Sequence, residues 1–275
     1  MKKIYWFILL LVIAILIVIS LCFVKQEINY SNMSLKEIPC IVFKKEVKHL
    51  DLSLNEIEDI SELADMNNLE YLDISSNPIS NCSIIGSLDN LLVLKMNGIG
   101  ISNISFLSNC TKVEELYISD NEIANIDEIS KLEGLKRFDM FGNYSVSDIS
   151  VLGDLKNLEN LAISALNVTD YSSLGKLNNL KVVMIETISN EDLKAICKNN
   201  QLETLMISYS ELKDLSFLRE QIHLKKLDLS MCQITDVKDI KQMKWAEEIT
   251  LYDNPLTEEQ VNELREALPN CKIYF

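Results

Sequence analysis

The side chains that could carry catalytic or metal-binding chemistry are few and widely separated in this chain of 275 residues. Its two histidines, His49 and His223, fall in the first and eighth of the repeats described below, about 34 Å apart at strand spacing, so they do not suggest a shared zinc or proton-transfer site. The seven glycines form no phosphate-binding loop, and no serine has the strand-and-elbow context of a hydrolase nucleophile. We therefore expect no enzyme activity, no catalytic or metal-binding residues and no cofactor.

The seven cysteines suggest packing and not chemistry. They form no C-x-x-C pair of the kind found in zinc sites, and they are too sparse for a small disulfide scaffold. Most are expected to fill the core, while pairing among them and acylation of Cys22 stay open. The cysteines are Cys22, Cys40, Cys82, Cys110, Cys197, Cys232 and Cys271.

The charge balance excludes one class of partner. Acidic residues outnumber basic ones by 41 to 26, which gives a net charge of -15 and a pI near 4.6. Binding to a phosphate backbone depends on clustered Lys and Arg that displace counterions. We therefore expect no nucleic-acid partner.

Residues 4–24 form an apolar run without charge. As a helix, this run would be about 31 Å long, which matches the hydrocarbon core of a bilayer. The sequence therefore predicts a transmembrane signal-anchor helix over 1–24 that contacts the lipid bilayer. Lys2 and Lys3 precede it, so the positive-inside rule predicts a single-pass protein of the cell membrane with the remaining chain on the extracytoplasmic side.

Two alternatives to an uncleaved anchor remain. A cleaved secretory signal has a shorter apolar core and a small-residue cleavage site, whereas this run is long and continues into Cys22, Phe23 and Val24. A lipoprotein would be acylated at Cys22, although the bulky Leu21 occupies a place where small residues are usual. Both alternatives would export the rest of the chain.

A repeat governs the sequence after the apolar run. The pattern L-x-x-L-x-L-x-x-N recurs ten times over 47–256, at intervals of 22 residues except for one of 23. We number the first residue of each repeat as position 0. The repeats start at Val47, Leu69, Leu91, Val113, Leu135, Leu158, Leu180, Leu202, Leu224 and Ala246.

The apolar positions within a repeat predict its local structure. Alternation at positions 3 and 5 is typical of a strand, and the later spacing of three residues is typical of a 3₁₀ turn. One unit cannot bury its own apolar edge, whereas stacked units share a continuous core. The predicted fold class is an α/β solenoid, a horseshoe or arc with a parallel concave sheet and a 3₁₀ or irregular convex side, joined to the transmembrane helix.

Motifs such as Asp59-Ile60-Ser61-Glu62-Leu63, which follow the asparagine, resemble the 22-residue leucine-rich repeats of the bacterial internalins. A regulatory subunit of a eukaryotic Ser/Thr phosphatase has similar repeats. The resemblance covers about 47–256. It implies protein recognition, and it supplies no catalytic residues.

Position 8 separates the repeats into two groups. The asparagine is expected to satisfy backbone groups at the turn after each strand. It is present as Asn55, Asn77, Asn121, Asn143 and Asn254, and it is replaced by Ile99, Leu166, Ile188, Ser210 and Cys232. We expect Cys232 to take the role of the asparagine, and we expect the coil to be least regular from Leu158 to Ser210.

The ends of the repeat array are expected to be capped. Residues 25–46 form a predicted spacer and irregular N-terminal cap. Residues 257–275 form a predicted C-terminal helical cap, in which Thr257 and Gln260 make a capping box and Pro269 ends the helix. No sequence remains for a second domain.

The concave face is the predicted binding surface, because alternation along each strand sends positions 2, 4, 6 and 7 away from the core. Large apolar side chains grouped on a rigid sheet favour a protein interface, although some could instead cover gaps left by missing asparagines. The predicted protein-binding residues are Tyr117, Phe141, Val182, Met184, Met206, Tyr209, Met231 and Tyr252.

The predicted function follows from these features. We expect a membrane-anchored leucine-rich-repeat module that binds a protein partner through its concave face outside the cytoplasm. The alternative is a structural or regulatory scaffold of the cell envelope that acts through its membrane helix as well as its repeats. Position 1 is expected to be structural, because its charges alternate in sign from Glu114 to Glu247 and would form a ladder of ion pairs.

Overall fold

The computed structural model describes residues 26–164 and 166–275. They form one parallel sheet in which the strands follow each other in chain order. The strands are β1 (Glu27–Asn29), β2 (His49–Asp51), β3 (Tyr71–Asp73), β4 (Val93–Lys95), β5 (Glu115–Tyr117), β6 (Arg137–Asp139), β7 (Asn160–Ser164), β8 (Val182–Glu186), β9 (Thr204–Ser208), β10 (Lys226–Asp228), β11 (Glu248–Thr250) and β12 (Lys272–Tyr274).

The convex side is built mostly from short 3₁₀ helices, as the spacing of three residues predicts. Two α-helices accompany them, α1 (Asn190–Ile196) and α2 (Glu258–Ala267). The 3₁₀ helices are Lys44–Glu46, Ser61–Leu63, Ser83–Ser87, Ser105–Asn109, Asp127–Lys131, Ser150–Asp154, Leu174–Lys176, Ser216–Glu220 and Ile240–Gln242. The solenoid part of the predicted fold class is confirmed.

The sheet has two strands more than the ten repeats predict. Strand β1 pairs with β2, and β12 pairs with β11, both in parallel register. At the N-terminal end, Asn29 takes the place of the strand-ending aspartate of later repeats, since its side-chain oxygen accepts a hydrogen bond from the Ser31 amide at 2.9 Å. The expectation of an irregular N-terminal cap was therefore wrong for this segment.

The core consists of one stack of leucine and isoleucine side chains that runs through all repeats. In the repeat that starts at Val47, every predicted apolar position is at most 2% exposed. Burying an aliphatic side chain of this size stabilises a fold by about 1.5–3 kcal/mol, so the stacking of repeats supplies the main driving force. These positions are Val47, Leu50, Leu52, Ile57, Ile60, Leu63 and Met66.

Asparagines at position 8 connect neighbouring repeats. The Asn121 amide nitrogen donates to the carbonyls of Met96 and Ile118 at 2.8 and 2.9 Å, and its oxygen accepts from the amides of Ile99 and Ile101 at 3.2 Å. Asn143 is fully buried and has the same kind of partners. The predicted role of the asparagine is confirmed.

Where the asparagine is missing, smaller groups take over part of its role. The Ser210 hydroxyl accepts from the Ile188 amide at 3.0 Å and donates to the Ser208 carbonyl at 3.1 Å. The Cys232 thiol lies 3.3 Å from the carbonyl oxygens of Ile207 and Ser230. The prediction that Cys232 replaces the asparagine is thus confirmed.

The central repeats correct the expectation of lower regularity. Strands β7, β8 and β9 have five residues each, whereas the other strands of the sheet have three. Their register continues without a break from Ala162 through Met184 to Met206. The local change lies on the convex side, where α1 replaces a 3₁₀ helix, with the Ser189 hydroxyl as its N-cap.

The turns after β2 to β6 and after β8 to β11 hold position 7 in the left-handed region, with φ between 52° and 74°. Apart from glycine, residues favour this region weakly, because Cβ crowds the backbone. The sequence did not predict this column. It comprises Leu54, Ser76, Gly98, Asp120, Gly142, Thr187, Tyr209, Met231 and Asp253.

The C-terminal end is covered as the sequence predicts. Thr257 and Gln260 form a capping box at the start of α2. Glu258 and Glu259 lie in the first turn, where negative charge interacts favourably with the helix dipole. Leu264 is fully buried against the last repeat. The capping box is therefore confirmed.

The predicted transmembrane helix over 1–24 lies outside the described residues. In 26–164 and 166–275, no helix is long and apolar enough to cross a membrane. The longest, α2, has ten residues and is mostly charged and polar, whereas a bilayer core requires about 20 predominantly apolar residues. The transmembrane part of the fold class is therefore wrong for the described chain. We withdraw the single-pass localisation, its orientation, the lipid partner and the envelope-scaffold alternative that depended on it.

Candidate protein-binding face

The predicted binding residues all lie on the concave sheet or on the turns that follow its strands. Four of them are half-buried, Tyr117, Phe141, Val182 and Met206. The other four are exposed, at 36% for Met184, 59% for Tyr209, 36% for Met231 and 46% for Tyr252. The face therefore holds large apolar groups that the fold leaves only partly covered.

One subset of these residues meets at a depression of about 170 Å³ on the sheet. Its floor is formed by Ala162 and its walls by Tyr117, Val182 and Met184, from strands β5, β7 and β8. Arg137 and Asp139 of β6 line the same depression. Side chains from four neighbouring strands thus surround a shallow, mainly apolar hollow.

A second subset lies at the turn edge of the sheet. Tyr209 and Met231 occupy position 7 of consecutive repeats, and the Met231 amide donates to the Tyr252 carbonyl at 2.9 Å. Phe141 lies at position 6 of an earlier repeat, and its amide donates to the Asp139 carboxylate at 3.2 Å. None of these four residues lines the depression, so the predicted site divides into a hollow and a rim.

The tyrosine at the hollow belongs to a polar network that the sequence did not predict. The Tyr117 hydroxyl donates to Glu115 at 2.9 Å, and Arg137 lies 3.8 Å from the same carboxylate. The Lys95 ammonium lies 5.3 Å from the ring centroids of both Tyr117 and Tyr71, within the range of a cation–π contact. These residues occupy positions 2 and 4 of adjacent repeats. A comparison of the residue types at these two positions from one repeat to the next could have predicted the network.

This network fixes the chemical state and position of Tyr117. Burial raises the pKa of the Tyr117 hydroxyl, and the hydrogen bond to Glu115 raises it further. The phenol therefore stays neutral at physiological pH and keeps its hydrogen for Glu115. Its ring is held as a rigid wall of the hollow.

The aspartates of position 4 have a local structural role. Asp51 accepts hydrogen bonds from both the amide and the hydroxyl of Ser53, and Asp228 accepts the same pair from Ser230. Each therefore closes the turn at the end of its strand, as Asp and Asn commonly do. The sequence did not predict this role.

Burial suppresses the reactivity of three cysteines, Cys82, Cys197 and Cys232. Burial raises the pKa of the Cys82 thiol to about 11 and that of Cys197 to about 12. The same cause raises the pKa of Cys232 to about 12. These thiols stay protonated near neutral pH and are poor nucleophiles.

The described part of the chain contains no group of three or more His, Cys, Asp or Glu side chains that could hold a metal ion. The absence of catalytic residues and of a cofactor stays a prediction from the sequence.

The strands, turns and apolar stack together define a leucine-rich-repeat solenoid. Sequence models of the family agree, because a model described as Leucine Rich repeats (2 copies) matches 45–87 and a model described as Leucine Rich repeat matches 220–237. No curated protein matches this chain in sequence.

Solved structures place the fold among internalin-like solenoids. An internalin of Listeria monocytogenes is similar with a TM-score of 0.72 and 23% identity, over 91% of this chain and 80% of that one. A second internalin from the same organism has a TM-score of 0.57 and 20% identity, over 69% of this chain and 81% of that one. The chain is thus a leucine-rich-repeat protein with an internalin-like fold.

Proposed function

We propose that this chain is a protein-binding module whose partner docks on the concave face of the fourth to ninth repeats. The observation that carries the proposal is the set of exposed or half-exposed apolar side chains on a rigid sheet. Their centre is the hollow between Tyr117 and Met184, and their rim includes Tyr209. Aromatic residues and Met are enriched in protein interfaces, and such groups contribute little to folding while they stay in water.

The competing explanation is that these side chains fill gaps left by missing asparagines. At the rim, the backbone groups that a position-8 asparagine would bond already have other partners, which argues against the gap-filling explanation. Ser210 and Cys232 already bond the local carbonyls and amides, and Tyr209 remains 59% exposed beside them. A side chain that exposed cannot fill a cavity.

Backbone conformation gives further support. Tyr209 and Met231 have φ of 52° and 56°, where a bulky residue costs about 1–2 kcal/mol more than glycine. Glycine occupies the same column at Gly98 and Gly142. Unfavourable backbone conformations occur preferentially at functional sites, and large apolar residues at this position are better explained by binding than by folding.

The test begins by identifying the partner. A photo-crosslinking amino acid is placed at Met184 or Tyr209 in the full chain, with Lys198 on the convex side as the control position. We expect a common adduct from the two concave positions and none of that adduct from position 198. Equal labelling from all three positions would contradict docking on this face.

Affinity and stability are then measured on the same variants. Met184→Ala and Tyr209→Gly should each weaken partner binding by roughly 2 kcal/mol, because a few central residues dominate an interface. Tyr209→Gly should leave the thermal midpoint unchanged or higher, since glycine relieves the left-handed backbone. Thr187→Gly, at position 7 of the preceding repeat with φ of 56°, is the matched control that should not change affinity. Lost stability with unchanged affinity would favour the gap-filling explanation.

A further inference from the structure

The charges around the apolar face are distributed unequally across the sheet. From the repeat at Val113 to the repeat at Ala246, positions 4, 6 and 7 contain no Lys or Arg. The same positions carry the carboxylates Asp120, Asp139, Glu186, Asp228 and Asp253. All the charges at the C-terminal ends of these strands and in the turns after them are therefore negative.

Positions 1 and 2, at the opposite margin of the same repeats, carry nearly equal numbers of positive and negative charges. Position 1 alternates in sign and forms ion pairs such as Glu114–Lys136 at 2.7 Å and Glu159–Lys181 at 2.8 Å. At position 2, Arg137 lies beside Glu115, and Lys226 is in register with Glu248. The acidic character is thus specific to the margin that carries the apolar residues.

One row of side chains combines both properties. Asp139, Ala162, Met184, Met206 and Asp228 occupy position 4 on five adjacent strands, β6 to β10. Four strand spacings separate the two aspartates, or about 19 Å. The row therefore presents an apolar centre with a carboxylate at each end.

Both terminal carboxylates can accept further hydrogen bonds. The two bonds from Ser230 reach the same oxygen of Asp228, Oδ1. Those from Ser119 and Phe141 also reach a single oxygen of Asp139. An ionised carboxylate has about four acceptor sites, so each can still bind the ammonium or guanidinium group of a partner.

We infer that the partner of this face is a basic polypeptide segment: an apolar stretch with Lys or Arg on both sides, about 19 Å apart. This inference rests on the proposed function and specifies the chemistry of its ligand. Charge complementarity carries it, because the margin and the net charge of -15 both attract cations. The apolar centre contributes most of the affinity, and the carboxylates select the partner.

The probe is a random library of displayed peptides of about 16 residues, long enough to span the row as a helix or a strand. It is selected on the full chain at low salt. We expect enriched peptides with an apolar centre between basic residues. Their affinity should fall about twofold to fivefold with Asp139→Asn or Asp228→Asn, as for exposed ion pairs, and the loss should shrink at high salt.

Matched variants separate the possible outcomes. Asp73→Asn is the control, because Asp73 accepts the same turn bond from the Ser75 amide at 2.9 Å but lies away from the apolar row. Peptides that depend on Met184 and Met206 yet are acidic or neutral, or do not respond to Asp139→Asn and Asp228→Asn, would overturn the inference and leave the proposed function intact. Peptides unaffected by Met184→Ala and Met206→Ala would contradict the proposed function itself.

Discussion

The repeats that carry asparagine at position 8 and the three central repeats that lack it build the same turn in two ways. In the first group, the strand has three residues, and in the repeat that starts at Leu69 Asp73 closes the turn while the amide of Asn77 joins adjacent coils. In the central group, strands β7 to β9 are longer by two residues, and a serine hydroxyl provides the remaining bonds. Additional sheet pairing thus compensates for part of the lost side-chain bonding.

This difference explains where the apolar row can exist. Where the strand stops at position 4, an aspartate there can accept the amide two residues later, as Asp51 and Asp73 do. Strand β5 instead stops at Tyr117, and the Ser119 amide donates to the side-chain oxygen of Asn97. Where the strand continues, the amide two residues after position 4 belongs to residues paired within the sheet, such as Ser164 and Glu186. Position 4 is then released from its local role, and Ala162, Met184 and Met206 occupy it. In β7 to β9, the longer strand and the apolar side chain at position 4 therefore occur together, whereas Tyr117 contributes to the proposed binding face from a three-residue strand.

Among the substitutions that test this comparison, Asn143→Ala should have the largest effect on stability. The fully buried Asn143 amide bonds the carbonyls of Ile118 and Met140 and the amide of Ile123. Because these groups lose their partners without access to water, we expect the free energy of unfolding to fall by roughly 3–5 kcal/mol in urea titration. The exposed Asn67→Ala is the control and should change it by less than about 0.5 kcal/mol.

Ser210→Ala probes the central group and should have a smaller effect. The Ser210 hydroxyl makes two hydrogen bonds, and the longer strands add backbone hydrogen bonds that stabilise the same turn. We therefore expect the free energy of unfolding to fall by about 1 kcal/mol in the same titration. Ser208→Ala, on the concave face of the same strand, should be nearly neutral. A loss at Ser210 as large as that at Asn143 would refute the view that strand pairing compensates for the missing amide.

Lys181→Glu should give the smallest change, and it tests what the two groups share. Lys181 pairs with Glu159 at 2.8 Å in the exposed ladder of position 1, which continues through asparagine-bearing and asparagine-free repeats alike. Charge reversal should lower the thermal midpoint modestly, and more at low salt than at high salt. Lys198→Glu changes the net charge equally but lies outside the ladder. An equal shift in both variants would remove the pairing explanation.

The sequence predicted the features that arise from periodicity. Apolar residues at fixed positions determined the strands, the 3₁₀ segments and the core. The predicted ladder at position 1 is found as three separate ion pairs, Glu114–Lys136, Glu159–Lys181 and Lys225–Glu247. These features depend on residue type and spacing, both of which can be read from a single sequence. The same logic placed Tyr209 and Met184 on the concave side, although their role in binding stays a prediction.

Other features depend on what neighbouring repeats do together and could not be predicted. At the end of β1, Asn29 accepts the turn hydrogen bond that an aspartate accepts in later repeats. After α2, the chain returns to the sheet edge, where β12 pairs with β11. The five-residue strands lie in three consecutive repeats that lack both an aspartate at position 4 and an asparagine at position 8. Lys95 lies between Tyr71 and Tyr117 only because three strands are in register.

The left-handed column at position 7 has a consequence for how such a protein can vary. Its geometry is nearly constant, while its chemistry ranges from Leu54 through Gly142 to Tyr209 and Asp253. The local conformation is imposed by adjacent coils and not chosen by the residue itself. A substitution at this position therefore changes the side chain that one coil displays without changing the direction in which it points. Different ligands can be recognised in this way while the scaffold stays the same.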